Sequence, residues 1–114
     1  MICVSPKPSS NRNIVLIHHG HCMGARSNYM KMFVHKINQA GFQAVVMVRR
    51  GMDKNYLKTV SGLNGYITED VFAAADFLNK HFDNPNLYSV GWSHGAGLML
   101  KAAGIAGEKY PFKA

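Results

Sequence analysis

Cysteine and acidic residues are both scarce in this chain. The two cysteines, Cys3 and Cys22, are too few for a disulfide framework. A reduced, cytoplasmic setting is the default expectation. No apolar run approaches the roughly 18 residues needed to span a bilayer. The first thirteen residues lack a long apolar h-region and contain Pro6 and Pro8. They therefore do not read as a secretory leader or an anchor. No internal repeat and no low-complexity segment is visible. Acids number 6 against 13 Lys and Arg, a net charge of +7. Such a balance can signal nucleic acid or an anionic surface. Here the basic residues are scattered, and Arg49-Arg50 is their one adjacent pair, with no aromatic interleave. No nucleic-acid partner is expected; an uneven balance also suits one part of a larger protein.

What is present is a globular composition. Of 114 residues, 47% are hydrophobic and 17% charged, enough for one small domain. Residues 1–13 read as a polar lead-in and 14–114 as the core. Ile14-Val15-Leu16-Ile17 is a short continuous run that suits a strand buried on both faces. Residues 26–40 predict a helix, with Met30, Phe33, Val34 and Ile37 on one face and Gly41 at its C-terminal cap. Ala44 to Val48 is a second buried strand, closed by Arg49-Arg50-Gly51. Residues 52–65 read as irregular. Thr68 is the expected cap of a second helix, whose first turn holds Glu69 and Asp70 and whose buried face is Val71, Ala74, Ala75 and Leu78. Asp83-Asn84-Pro85-Asn86 ends it with turn chemistry. Leu87 to Val90 is a third strand, and Ala96 to Gly104 a small-residue helix. Strands alternating with helices imply an α/β fold: a parallel sheet of about three strands with helices on both faces. Its unpaired outer edges would favour self-association, as in part of something larger.

Gly91-Trp92-Ser93-His94-Gly95 is a G-x-S-x-G pattern between a strand and a helix, the context such a pattern needs. A serine on so sharp a turn exposes its hydroxyl at the strand's end. Side chains at Gly91 and Gly95 would clash with strand or helix. The next helix aims its N-terminal N–H groups at the same spot. Ser93 is the expected nucleophile. The plainer alternative makes Ser93 only a helix cap. A second N–H should come from the turn after the first strand of the segment, His19-Gly20-His21, where the glycine lets the backbone approach substrate. The backbone N–H groups of His21 and His94 are the expected oxyanion hole.

With these motifs in place the chain resembles the α/β-hydrolase superfamily, and within it the YheT-like branch of serine esterases and lipases. The matching stretches are Ile14 to Gly20, Val46 to Gly51 with its R-G, Gly65-Tyr66-Ile67-Thr68-Glu69-Asp70 (family pattern near G-F-T-E-D), and Gly91 to Leu100 (near G-F-S-L-G-A-N). They span residues 14–112 in the family's order. The resemblance implies a carboxylic ester hydrolase with an eight-stranded sheet, Ser93 as nucleophile and no cofactor. It makes Thr68-Glu69-Asp70 a structural helix start. His94 stands where leucine is usual, Gly97 where asparagine is common, and His21-Cys22-Met23 where Leu-Thr-Gly is usual. The family's acid and histidine follow the nucleophile on later strands, which these 114 residues do not reach. Tyr110 to Ala114 resembles the approach to the next strand.

Serine is a weak nucleophile without a general base. Of six histidines, His19 and His21 lie across the expected site and are the candidates for a substitute base; the His94 side chain should point away. His18-His19-Gly20-His21-Cys22 looks like a metal cluster, but neighbours on a strand face opposite ways and no distant ligand pair supports it. Gly20 to Ser27 lacks the spacing and lysine of a phosphate loop. Neither metal nor cofactor is expected. The expected substrate is a small-molecule or lipid-like acyl ester, which leaves peripheral membrane contact open. The chain alone is expected to be nearly inactive. The competing expectation is a non-catalytic module that associates through its sheet edges.

Overall fold

A computed structural model describes residues 2–4, 12–21, 24–57 and 67–114. The expected residues 5–11 of the lead-in, Cys22 and Met23, and the stretch 58–66 with Gly65 and Tyr66 lie outside the described residues.

The elements run β1 (Ile2–Val4), β2 (Asn13–His18), α1 (Asn28–Gln39), β3 (Gln43–Met47), α2 (Glu69–His81), β4 (Asn86–Gly91) and α3 (His94–Ala106). The sheet order is β1-β3-β2-β4, with β2 parallel to both neighbours. The two central strands are the two continuous apolar runs, as burial on both faces requires. The expected count of about three strands gains a fourth. Residues 2–4, read as lead-in, pair antiparallel with β3, Ile2 opposite Met47 and Val4 opposite Val45.

The connections explain why helices cover both faces. From β2 the chain crosses to β3 on one side, then hops back over β2 to reach β4 on the other. Right-handed crossovers in opposite directions put their helices on opposite faces. The side chains divide accordingly, with the period of two that strands impose. Ile14, Leu16, Val45 and Met47 pack with Val71, Ala74, Ala75 and Leu78 of α2 and Leu98 and Ala102 of α3. Ile17, Ala44, Val46 and Val48 pack with Met30 and Ile37 of α1, with Phe33 and Val34 at the margin. Truncating Leu16 or Leu78, both fully buried, to alanine would cost about 2–5 kcal/mol.

Helix ends show local causes. Ser27 caps α1, its Oγ accepting the Met30 N–H at 3.2 Å, and Gly41 follows the helix at φ 90°. Thr68 does not cap α2 through its side chain. It already has helical φ and ψ of −79° and −21°, whereas a capping oxygen reaches forward only from an extended residue. Its carbonyl instead accepts the N–H of Val71 at 3.0 Å. Past β4, Lys113 N–H donates to Leu87 and Ser89 N–H to Ala114, both at 2.7 Å, so residues 113–114 lie along the outer edge of β4. No described helix is long and apolar enough to cross a membrane.

Candidate active site

The C-terminal ends of β2, β3 and β4 lie side by side, with His18 opposite both Met47 and Gly91. The chain leaves β2 toward α1 on one face and β4 toward α3 on the other. A crevice outside the strand ends at such a reversal is where open α/β sheets hold ligands. Residues 19–21, 48–50 and 91–95 meet there.

Ser93 joins β4 to α3 at φ 50° and ψ −119°, a conformation that a side chain rarely adopts. Strain of this kind costs on the order of 1–3 kcal/mol and needs surroundings that enforce it. The flanking glycines show how it is enforced. A Cβ on Gly91 would sit 2.7 Å from the carbonyl carbon of Gly95 and 2.8 Å from the Ala96 nitrogen. A Cβ on Gly95 would sit 2.8 Å from both the His18 carbonyl carbon and the His19 oxygen, and would strike the His18 oxygen. Helix α3 is thus pressed backbone to backbone against β2. Trp92 N–H donates to His18 O at 3.3 Å and locks the turn to the same strand. The Trp92 ring turns to the other side, edge-on to Phe33 of α1 with centroids 4.6 Å apart. Ser93 itself is exposed, and no described side chain hydrogen-bonds its hydroxyl.

The loop after β2 approaches this turn. The His21 and His94 rings lie 6.1 Å apart. Among the described residues the backbone N–H groups of His21 and His94 have no acceptor. Gly20 is buried, and its carbonyl accepts from His19 Nδ1 at 2.7 Å.

The histidines take distinct roles. His19 is fully buried, and its Nε2 accepts the Arg49 N–H at 3.2 Å. Both its nitrogens are occupied, so it has none left to take a proton from Ser93. This corrects the expectation that His19 could be the substitute base. Burial, and secondarily Arg49, lower its pKa, against the raising effect of the Gly20 hydrogen bond and Asp53. His18 is also fully buried, and neither ring nitrogen has a partner among the described residues. Burial first, then the charges of Arg49 and His19, push its pKa down to about 4. The His94 ring is turned to Arg49, its Nδ1 3.0 Å from Nη1. His21 is exposed on the loop. Among the described residues no group of three His, Cys, Asp or Glu is placed to hold a metal ion.

The residue that sequence reasoning missed is Arg49. It is 4% exposed, and burial lowers its pKa. Its Nη2 donates to the carbonyls of His19 at 2.8 Å and Gly20 at 3.0 Å. Its neighbour Arg50 grips Asp70 with two bonds of 2.8 and 2.7 Å. That pair ties the R-G turn to the first turn of α2.

No family model matches the chain. The chain is 32% identical over 107 residues to a monoacylglycerol lipase of Saccharomyces cerevisiae, covering 91% of this chain and 24% of that protein. It is 28% identical over 102 residues to medium-chain fatty acid ethyl ester synthase/esterase 2 of the same yeast, covering 89% and 23%. The chain thus spans about a quarter of the length of the curated relatives it matches. Among solved structures it superposes on XC6422 of Xanthomonas campestris, an α/β serine hydrolase without a lid. The TM-score there is 0.73 at 18% identity, covering 91% of this chain and 50% of the other. On Est1E of Butyrivibrio proteoclasticus, solved with ferulic acid bound, the TM-score is 0.74 at 16% identity, covering 99% and 45%. The chain has the α/β-hydrolase fold in part.

Proposed function

We propose that this chain carries the nucleophile-bearing part of a serine hydrolase of carboxylic esters, lipid-like acyl esters in particular, in the YheT-like branch of the α/β-hydrolases. The observation that carries the reading is Ser93 itself. An exposed serine is held at φ 50° by two glycines that tolerate no side chain. Backbone strain enforced in this way collects where function needs it. Two N–H groups without acceptors among the described residues, those of His21 and His94, lie on the two segments that approach each other beside Ser93. The relatives act on monoacylglycerols and fatty acid ethyl esters by their names, which favours a lipid-like acyl group here. Work on such substrates fits the cytoplasm or a membrane surface. The Arg50–Asp70 pair supports the YheT-like branch, since it joins two of the stretches on which that resemblance rests.

In this reading Ser93 Oγ attacks the acyl carbonyl and gives its proton to a general base. The oxyanion of the tetrahedral intermediate accepts hydrogen bonds from His21 and His94 N–H. The alcohol leaves with a proton returned by the base, and water then hydrolyses the acyl-enzyme by the reverse sequence. The described residues supply the nucleophile and the hole but no placed acid–histidine pair. His18 is buried, His19 is saturated, His94 Nδ1 is engaged by Arg49, and exposed His21 has no carboxylate among the described residues to orient it as a base. The 114 residues alone should therefore turn over little or no ester. An oxyanion hole and binding alone leave about 10³–10⁴ over water at best.

The test is hydrolysis of p-nitrophenyl butyrate by the protein purified from its own cells, beside a Ser93→Ala allele. Turnover that vanishes in the variant supports the reading; turnover equal in both refutes it. The recombinant 114-residue chain should match its Ser93→Ala control. The competing reading, a non-catalytic module that self-associates through its sheet edges, expects concentration-dependent dimers in sedimentation and no Ser93-dependent turnover from either source.

A further inference from the structure

We propose that Arg49 is a positioning residue for the oxyanion hole: its guanidinium sets the direction of the Gly20–His21 peptide and ties that peptide to the first residue of α3. The proposal rests on the serine-hydrolase reading above, which gives the His21 and His94 N–H groups their task.

The Gly20 carbonyl and the His21 N–H belong to one planar group and point in opposite directions when the bond is trans. Among the described residues every peptide is trans. Holding the carbonyl therefore aims the N–H. The Gly20 carbonyl is held twice, by Arg49 Nη2 at 3.0 Å and by His19 Nδ1 at 2.7 Å. Both of its lone pairs are used. His19 is in turn fixed by the Arg49 backbone, whose N–H occupies Nε2 and leaves the proton on Nδ1. The His21 N–H is thus directed away from Arg49. Donors at the carbonyl also polarise the peptide and strengthen its N–H as a donor.

The same guanidinium reaches the other half of the hole. Nη1 lies 3.0 Å from His94 Nδ1. Arginine is always protonated, so Nη1 donates and His94 accepts. One rigid planar fork therefore spans the loop after β2 and the start of α3, which a lysine's point charge cannot do. The placement is costly by itself. Among the described residues Arg49 has no carboxylate partner, and its Nε is buried without an acceptor. A buried cation met only by neutral acceptors is unfavourable, and a fold with no use for it would be as stable with an apolar residue there.

The test is ¹⁵N relaxation on the 114-residue protein and its Arg49→Met and Arg49→Lys variants. In the parent the His21 amide should have an order parameter near ~0.85, falling below ~0.6 in Arg49→Met, with Arg49→Lys between them. The amides of Leu16 and Val45, in the sheet, report the fold and should not change. A folded Arg49→Met with His21 as ordered as in the parent overturns the proposal, as does a disordered His21 in the parent. Should Arg49→Met not fold, the parent decides. Separately resolved Nη1 and Nη2 protons show a held fork, and a single averaged signal overturns it. No Ser93-dependent turnover in the protein purified from its own cells, with His21 ordered by Arg49, refutes the hydrolase reading instead, so the two failures are distinguishable.

Discussion

Replacing Gly95 by alanine tests whether α3 is pressed against β2 as the geometry of the Ser93 turn requires. The added Cβ would lie 2.8 Å from the His18 carbonyl carbon and the His19 oxygen. An unstrained carbon contact is near 3.5 Å, so the helix or the loop after β2 would have to withdraw by about 0.7 Å. The atoms it meets are backbone, His18 at the end of the β2–β3 and β2–β4 ladders and the His19 oxygen held by Arg49 Nη2, and cannot rotate away. Overpacking costs roughly 1–3 kcal/mol and more where nothing can give; the better helix propensity of alanine returns up to about 1 kcal/mol. A net loss of about 2 kcal/mol is expected. Gly97, two residues on, provides the control. It is exposed, and a Cβ there meets nothing within 4 Å. Gly97→Ala should gain about 0.5–1 kcal/mol. At about 4 °C per kcal/mol, calorimetry should show Gly95→Ala melting about 8 °C below the parent and Gly97→Ala a few degrees above it. Equal melting of the two variants, or the reverse order, would refute the close approach.

Ser93→Gly should raise stability by about 1 kcal/mol in urea unfolding, because glycine adopts φ 50° without strain, while removing the proposed nucleophile; a loss of stability would argue that the turn is unstrained. Stability should also fall on acidification. His18 has a folded pKa of about 4 against an ordinary 6.5, so between those values the unfolded chain binds a proton that the folded chain refuses. The contribution is complete above pH 6.5 and is lost as pH drops through 4, roughly 3 kcal/mol in all. His19, lowered mainly by burial, acts in the same direction. His18→Phe should flatten that part of the pH–stability curve, and an unchanged slope would place the His18 ring in water. Asp70→Asn should destabilise the chain at low salt, with the difference from the parent shrinking in 1 M NaCl as screening reaches the half-exposed Arg50–Asp70 pair; a salt-independent difference would point to packing instead.

The parts legible in the sequence were those set by short-range pattern. The runs at 14–17 and 44–48 are uninterrupted because β2 and β3 are covered on both faces, and Val71, Ala74, Ala75 and Leu78 are the buried face of α2. Gly91 and Gly95 announced a tight turn, and the structure shows the contacts that exclude larger residues there. Features set by distant partners were not legible. Three residues of β1 are too few to carry a period, and their strand exists only because β3 offers an edge. Thr68 has the chemistry of a cap, but its backbone is already helical. In the sequence Arg49 is only half of an adjacent basic pair that closes a strand. Its acceptors lie 30 and 45 residues away in sequence, and no local pattern distinguishes a buried arginine from an exposed one. His19 looked like a spare base for the same reason.

The central claim is that Ser93 is a nucleophile beside a formed oxyanion hole. The direct measurement is phosphonate labelling of the protein in extracts of its own cells, with the intact mass taken and the adduct mapped on the tryptic peptide of residues 81–101. That peptide contains two serines, Ser89 and Ser93, and fragmentation separates them. The account expects the adduct on Ser93 and none in a Ser93→Ala allele. An unlabelled peptide, or an adduct on another residue, would contradict it.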